Sequence, residues 1–209
     1  PMFGETYYDP SKEQADTPAL EEQLAALGEL IAAGKIRYAG VSNETSWGVS
    51  ECTRLSREHG LPRVATIQNV FNLINRTFEM GLVEACHREQ VSLLAYSPLA
   101  FGLLSGKYVG DEAAPGRMSL FPQFGVRYRK PEVPGAIAAY AALAREHGLT
   151  PAQLALAWVT SRWYVASTII GATTLAQLEE NLGSLDIAIT PELEAAIETI
   201  HRHSPSPAQ

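Results

Sequence analysis

Four short segments of this 209-residue chain end in side chains able to grip a polar ring with a charged tail: Ser42-Asn43, Gln68-Asn69, Tyr96-Ser97-Pro98 and Gly171-Ala172-Thr173-Thr174. Each follows a mostly apolar run. A side-chain amide, several hydroxyls and one aromatic ring suit a planar carboxamide ring carrying phosphate. Any one of these groups reads equally as a cap or a turn, but the same pattern at four strand ends favours a ligand site. Downstream of Tyr96, the residues Ser97, Ser105, Lys107 and Arg117, with backbone N–H groups near Gly102 and Gly106, are suitable pyrophosphate ligands.

Other chemistries find less support. The run Gly102-Leu103-Leu104-Ser105-Gly106-Lys107-Tyr108 resembles a P-loop only superficially, because three residues separate its glycines and Tyr108 stands where Ser or Thr would meet magnesium. There is no GxGxxG, HExxH, CxxC or GxSxG. Cys52 and Cys86 lie far apart without metal-type spacing, so no metal site is expected. Glu179, Glu180, Glu192 and Glu194 fall on helical segments and read as solvated surface.

The elements that must position these residues alternate. Thr17 and Pro18 predict the start of a helix carrying Leu20, Leu24, Leu27, Leu30 and Ile31, stopped at Gly34. A strand is expected over 35–42, a helix over 46–59, a strand over 64–68, a helix over 78–89 and a strand over 91–96. A long irregular stretch over 97–132 follows, of a length usually tied to function. Helices resume over 134–147 and after Thr150, where Gln153 completes a capping-box pattern. A strand over 165–170 and helices from Thr174 and Thr190 complete the order. The Pro/Ser-rich tail over 204–209 is expected to fray. Arg-Glu-His-Gly-Leu occurs twice, at 57–61 and 145–149, and reads as helix-stop chemistry, with His59 and His147 as cap residues.

Four strands, each followed by helix, predict an α/β fold with a parallel sheet. A full (β/α)8 TIM barrel takes about 250 residues, so four βα units plus extra helices correspond to half of one. With 46% hydrophobic and 19% charged residues the chain supports a core, and a single domain over 1–209 is expected. Sixteen Lys and Arg against 23 Asp and Glu give a net charge of −7, which argues against nucleic acid and an anionic membrane surface as partners. No apolar run approaches a membrane span, and a soluble, cytoplasmic setting is expected. The chain opens on Pro1, Met2 and a loop-like stretch, which reads either as a trimmed start or as a cut edge.

Gly34-Lys35-Ile36-Arg37-Tyr38 with Gly40-Val41-Ser42-Asn43, Ile67-Gln68-Asn69 with Asn72 and Arg76, Ala95-Tyr96-Ser97-Pro98-Leu99 with Gly102 to Tyr108, and Ile170-Gly171-Ala172 with Gln177, Glu180 and Asn181 resemble the aldo-keto reductase family. Gly40 to Thr45 and Gly171 to Thr174 are similar to its Tas-like bacterial branch. The resemblance runs from about Leu20 to His201. It implies a (β/α)8 barrel that transfers hydride from NADPH to an aldehyde or ketone, with this chain as its C-terminal, cofactor-binding half. By the same resemblance, Ser42, Asn43 and Gln68 would hold the nicotinamide carboxamide and Tyr96 would stack under the ring. Ser97, Pro98, Leu99, Gly102 and Lys107 would line the pyrophosphate. Gly171, Thr173, Gln177, Glu180 and Asn181 would meet the adenosine and its 2′-phosphate, with Arg117 closing over. Gln177 reads equally as a capping partner of Thr174, and Pro98 and Leu99 as shapers of the turn.

The family's catalytic Asp, Tyr, Lys and His have no counterpart here, so no catalytic residue is assigned within the chain. Tyr7 and Tyr8 read as loop residues, not substitutes. The resemblance implies a small carbonyl compound as substrate. A half-barrel has open edges with unpaired backbone groups, which favour self-association. The alternatives are a non-catalytic NADP(H)-binding regulatory protein and a truncated half-barrel.

Overall fold

Short apolar runs bounded by turn residues become strands, and amphipathic segments between them become crossover helices. The computed structural model describes residues 8–13, 16–111, 113–121, 123 and 125–209. Strands β1 (Ala39–Ser42), β2 (Val64–Val70), β3 (Ser92–Tyr96) and β4 (Val165–Thr168) form one parallel sheet in the order β1-β2-β3-β4. Where one domain was expected, the chain divides into two compact units. The first comprises Pro1–Asn69 and Phe78–Leu94, the second Val70–Thr77 and Ala95–Gln209, so β2 and β3 each change unit partway along. None of the helices among the described residues is long and apolar enough to cross a membrane.

In the first unit, β1 pairs with β2 in a register that sets Ser42 beside Gln68, with an irregularity between Ala39 and Gly40. A Cβ on Gly40 would lie 2.5 Å from Thr66 Oγ1 and 3.0 Å from the Thr66 carbonyl oxygen, so the close approach of the strands depends on glycine there. Helices α1 (Leu20–Ala32), α2 (Ser46–His59) and α3 (Leu82–Arg88) accompany the strands. Helix α2 has the expected span: Thr45 Oγ1 accepts from Gly48 N at 3.1 Å, and Gly60 takes the left-handed conformation with φ 66°. His59, its last residue, places Nδ1 2.6 Å from Glu21 Oε1. Val49, Cys52 and Leu55 of α2 pack into the core with Val64, Ile67, Cys86 and Leu93. Burial pushes the thiols of Cys52 and Cys86 up to about 11.

Three boundaries in this unit differ from expectation. Helix α1 starts at Leu20 because Ala19 keeps an extended ψ of 146°, which leaves Thr17 too far upstream to cap. The strand expected from residue 35 starts only at Ala39. The amides of Lys35 and Ile36 both donate to the Leu30 carbonyl, at 3.0 and 3.4 Å, and so are spent on the turn that closes α1. The helix expected over 78–89 is split by Gly81, at φ 89°, into a 3-10 turn at Thr77–Glu79 and α3.

The second unit carries α4 (Arg117–Leu120), α5 (Val133–Glu146), α6 (Pro151–Thr160), α7 (Leu175–Gly183) and α8 (Pro191–His203). The capping box of α6 is formed, with Thr150 and Gln153 exchanging hydrogen bonds of 3.1 Å. His147 is the C-terminal cap of α5, followed by Gly148 at φ 69°. Helix α6 buries residues on every side, among them Leu154, Leu156, Trp158 and Val159. Phe71 stacks on Trp158 with centroids 5.2 Å apart, and the guanidinium carbons of Arg76 and Arg162 each lie 4.9 Å from the same indole. Arg162 forms a bidentate pair with Glu194 at 2.7 and 2.8 Å, so Glu194 is an anchor of α8 and not the solvated residue expected.

The stretch over 97–132 is less irregular than expected. It contains 3-10 turns at Ala100–Ser105 and Val126–Arg129 besides α4. Strand β4 stops at Thr168, and only the Ile169 amide, donating to the Ala95 carbonyl at 2.8 Å, continues its pairing. The tail corrects the expectation of fraying. Ser206 and Ala208 are buried, and Ala208 N donates to the Ile74 carbonyl at 2.9 Å while its own carbonyl accepts from Asn75 Nδ2 at 2.9 Å. Composition suggested disorder, but these bonds satisfy the tail's polar groups within the fold.

Candidate functional site

In the first unit the register of β1 and β2 brings three of the expected ligands together. Ser42 Oγ donates to the Gln68 carbonyl oxygen at 3.0 Å, Asn43 N donates to the same oxygen at 3.0 Å, and Asn43 Nδ2 reaches Ser42 Oγ at 3.3 Å. Asn43 takes a left-handed φ of 53°, a conformation asparagine tolerates better than most residues, and this turns the chain sharply at the strand end. Gln68 is exposed, and its side-chain amide has no hydrogen-bond partner among the described residues. Asn69 points away from the Gln68 side, with its Oδ1 buried and without a partner among the described residues. An exposed amide, a hydroxyl and a second amide thus stand together in one strand-end cluster.

In the second unit the chain leaves β3 through an unusual turn. Ser97, Ala100 and Phe101 adopt positive φ of 53°, 47° and 59°, a conformation unfavourable for residues bearing Cβ. Pro98 is buried, and the Leu99 carbonyl accepts from Gly102 N at 2.8 Å and Leu104 N at 3.2 Å. The exposed Lys107 donates to the Pro115 carbonyl at 3.2 Å, and its ammonium lies 5.0 Å from the Tyr108 ring centroid. Its side chain crosses two glycines. A Cβ on Gly102 would come within 3.3 Å of Lys107 Cε, and one on Gly116 within 2.2 Å of Nζ. Arg117 is exposed with its guanidinium carbon 5.1 Å from the Phe101 centroid. Tyr96 and Ser97 are half-buried.

A second cluster in the same unit follows β4. Gln177 Oε1 accepts from Thr173 N at 2.8 Å and Thr173 Oγ1 at 3.0 Å, and Gln177 N donates to Thr174 Oγ1 at 3.2 Å. Gln177 thus organises the turn that opens α7, close to the capping role weighed for it, although its side chain serves Thr173 and not the cap residue itself. Asn181 is buried and donates through Nδ2 to the Gly171 carbonyl at 3.4 Å. Glu180 is half-buried beside it.

Sequence reasoning missed the groups that hold these loops. Asn72 and Asn75 form a hairpin closed by mutual backbone bonds of 3.0 and 3.1 Å, with both side chains buried. Asn72 Nδ2 donates to the Ser97 carbonyl at 3.0 Å, which fixes the left-handed residue after β3. Arg76 joins Glu198 of α8 at 2.5 Å. Burial pushes the Tyr128 phenol up to about 12, with Asn72 as a hydrogen-bonding neighbour that acts in the opposite direction. Asn72 and Arg76 stood out only as family motif residues; buried amides whose partners are distant in sequence give no local signal. Tyr7 lies outside the described residues. Tyr8 is exposed and donates to Glu13 at 2.5 Å, a bond that raises its pKa.

Parallel strands with helical crossovers define an α/β protein, and in each unit hydrogen-bonding side chains stand near the strand ends. The aldo/keto reductase family profile matches residues 6–202. The chain belongs to the aldo/keto reductase family. It is 48% identical over 197 residues to "Protein tas" of Escherichia coli (strain K12), covering 94% of this chain and 57% of that protein. An "Aldo-keto reductase" of Babesia bovis is 37% identical over 209 residues, with 73% of that protein covered. The "L-glyceraldehyde 3-phosphate reductase" of Escherichia coli (strain K12) is 32% identical over 177 residues, half of its length. The chain thus spans little more than half of the Tas proteins it matches. The expectation that the chain is only the C-terminal part of the family fold is not supported, since the family match runs over residues 6–202.

Proposed function

We propose that this chain is the cofactor-binding part of an NADPH-dependent oxidoreductase of the aldo-keto reductase type, acting between the nicotinamide and an aldehyde or ketone. One observation carries the reading: in a chain of this family, Ser42, Asn43 and Gln68 meet at paired strand ends, with the Gln68 amide unspent among the described residues. The reading keeps the C-terminal half-barrel, with the Asp, Tyr, Lys and His of the family outside these 209 residues. The Ser42 hydroxyl and the Asn43 and Gln68 amides bind and orient a carboxamide. Tyr96 offers a ring face, and Lys107 supplies a cation over glycine backbone that anionic oxygens can approach closely. Thr173, Gln177, Glu180 and Asn181 shape the turn at Gly171 for the adenosine end, with Arg117 as a second cation. When bound, NADPH supplies the hydride.

The setting consistent with this reading is cytoplasmic. Self-association belongs to the same reading: among the described residues β4 has β3 as its one strand neighbour. Quenching of tyrosine and tryptophan emission by NADPH tests the binding claim directly. Saturable quenching is expected, weakened about tenfold by Tyr96→Ala, since stacking on an aromatic face is worth ~1–2 kcal/mol. Absence of saturable quenching in the unsubstituted chain would defeat the reading, whatever its activity toward carbonyl compounds.

A further inference from the structure

The tail over 204–209 is placed by bonds of which those at Ser206 and Ala208 meet the hairpin and its flank. Arg76 N donates to Ser206 Oγ at 3.0 Å, Ala208 exchanges bonds of 2.9 Å with Ile74 and Asn75, and Lys130 Nζ donates to the Gln209 carbonyl at 2.8 Å. The hairpin in turn reaches the segment after β3. Phe71 N donates to the Tyr96 carbonyl at 3.3 Å, and Asn72 Nδ2 to that of Ser97 at 3.0 Å. Those two bonds act where the backbone most needs support, because Ser97, Ala100 and Phe101 hold left-handed conformations without being glycine. Within the turn, Ala100 N donates to the Ser97 carbonyl and Gly102 N to that of Leu99.

We infer that the Ser206-Pro207-Ala208 tail is a strap that positions the turn after β3 through Asn75 and Asn72, and so sets the affinity of that turn for the dinucleotide phosphates. The inference rests on the cofactor reading above. Asn72, Asn75, Ser206 and Ala208 are positioning residues, since none is placed against the ligand. The strap acts on the shape of Tyr96 to Gly102. It lowers the cost of ordering the turn when an anion binds, a preorganisation effect.

Amide exchange decides the strap without reference to the cofactor. Deleting residues 206–209 is expected to speed exchange of the Ala100 and Gly102 amides about tenfold, equivalent to ~1.4 kcal/mol and within the range of one supporting hydrogen bond. Amides of α6 should keep their protection. The same deletion is expected to weaken NADPH quenching about tenfold, and adding Asn72→Ala to it should bring little further loss, because both changes cut one chain of contacts. Should the deletion fail to fold, Ala208→Glu, which puts a carboxylate at a buried position, and Ser206→Ala provide the same readings. Unchanged exchange at Ala100 and Gly102 would overturn the strap, as would equal loosening of α6, which would make the tail a general brace. A chain that never binds NADPH defeats the cofactor reading, while exchange still reports on the strap.

Discussion

The strand ends of the first unit and the loops of the second hold the side chains proposed to bind the cofactor by different means. Ser42, Asn43 and Gln68 stand where the register of β1 and β2 has already put them: the Asn43 side-chain amide bonds to the Ser42 hydroxyl, and that hydroxyl bonds to the Gln68 backbone carbonyl. The turn after β3 has no such ladder beneath it. Its left-handed residues are held by Asn72, by the hairpin and by a tail distant in sequence. A sheet edge positions side chains by repeating geometry; a loop needs buried polar partners, each satisfied one by one.

Trp158→Ala should separate the two means most sharply. Trp158 is fully buried in the second unit, stacked on Phe71 and covered by two guanidiniums that are themselves paired to Glu194 and Glu198. Removing the indole should cost about 4 kcal/mol from cavity formation and lost ring contacts. Denaturant unfolding should show this loss, and amide exchange should place it in α6, α8 and the hairpin. An equal rise in exchange along β1 and β2 would erase the distinction drawn here.

Alkaline titration gives a smaller and staged effect. In the first unit the unfolded chain ionises its thiols near pH 9, while Cys52 and Cys86 hold their protons to about pH 11. The folded state therefore binds more protons in that window, and stability falls as pH rises through it. Tyr128 places the corresponding window of the second unit between pH 10 and about 12. Unfolding followed by amide exchange from pH 8 to 11 should show the first unit weakening earlier, and Cys52→Val should flatten that early decline.

Gly40→Ala should have the smallest effect on stability, about 1–2 kcal/mol, since the new methyl must push the Thr66 hydroxyl and carbonyl away. Its consequence for binding should be larger than its stability cost suggests, because it disturbs the register that sets Ser42 beside Gln68. NADPH quenching weakened while β4 amides remain protected would sharpen the contrast between register and scaffold. Unchanged quenching would show that the strand-end cluster tolerates a shifted register.

How much was legible follows the same line. Helix α2 was readable over Ser46–His59, and the capping box at Thr150 from four adjacent residues, because local backbone chemistry decides both. The ends of β1 and β3 were readable because apolar runs give way there to Ser42 and Tyr96, whereas β2 runs two residues past the expected Gln68 to Val70 and β4 stops two residues short of the expected Ile170. The turn at 35–38 was not, since Leu30 captures two of its amides. Nor was the role of Glu194, whose partner Arg162 lies 32 positions away. The tail reads as Pro/Ser-rich and unstructured, and the bonds that bury Ser206 and Ala208 come from Ile74, Asn75 and Arg76, more than 125 positions away. Asn72 and Asn75 are commonplace as residue types, and only their burial against Ser97 and Ala208 gives them a role.

The bond between Asn75 and Ala208 spans 133 positions of sequence. During synthesis the hairpin emerges long before the residues that complete its bonding, and at about 5–20 residues per second it waits several seconds or more with buried-type amides facing water. Closing so long a loop also adds entropy cost to the folding step that docks the tail. The first unit's strand-end pair can form from nearby chain during translation, whereas the turn after β3 cannot gain its final support until the Ser206-Pro207-Ala208 segment has been made.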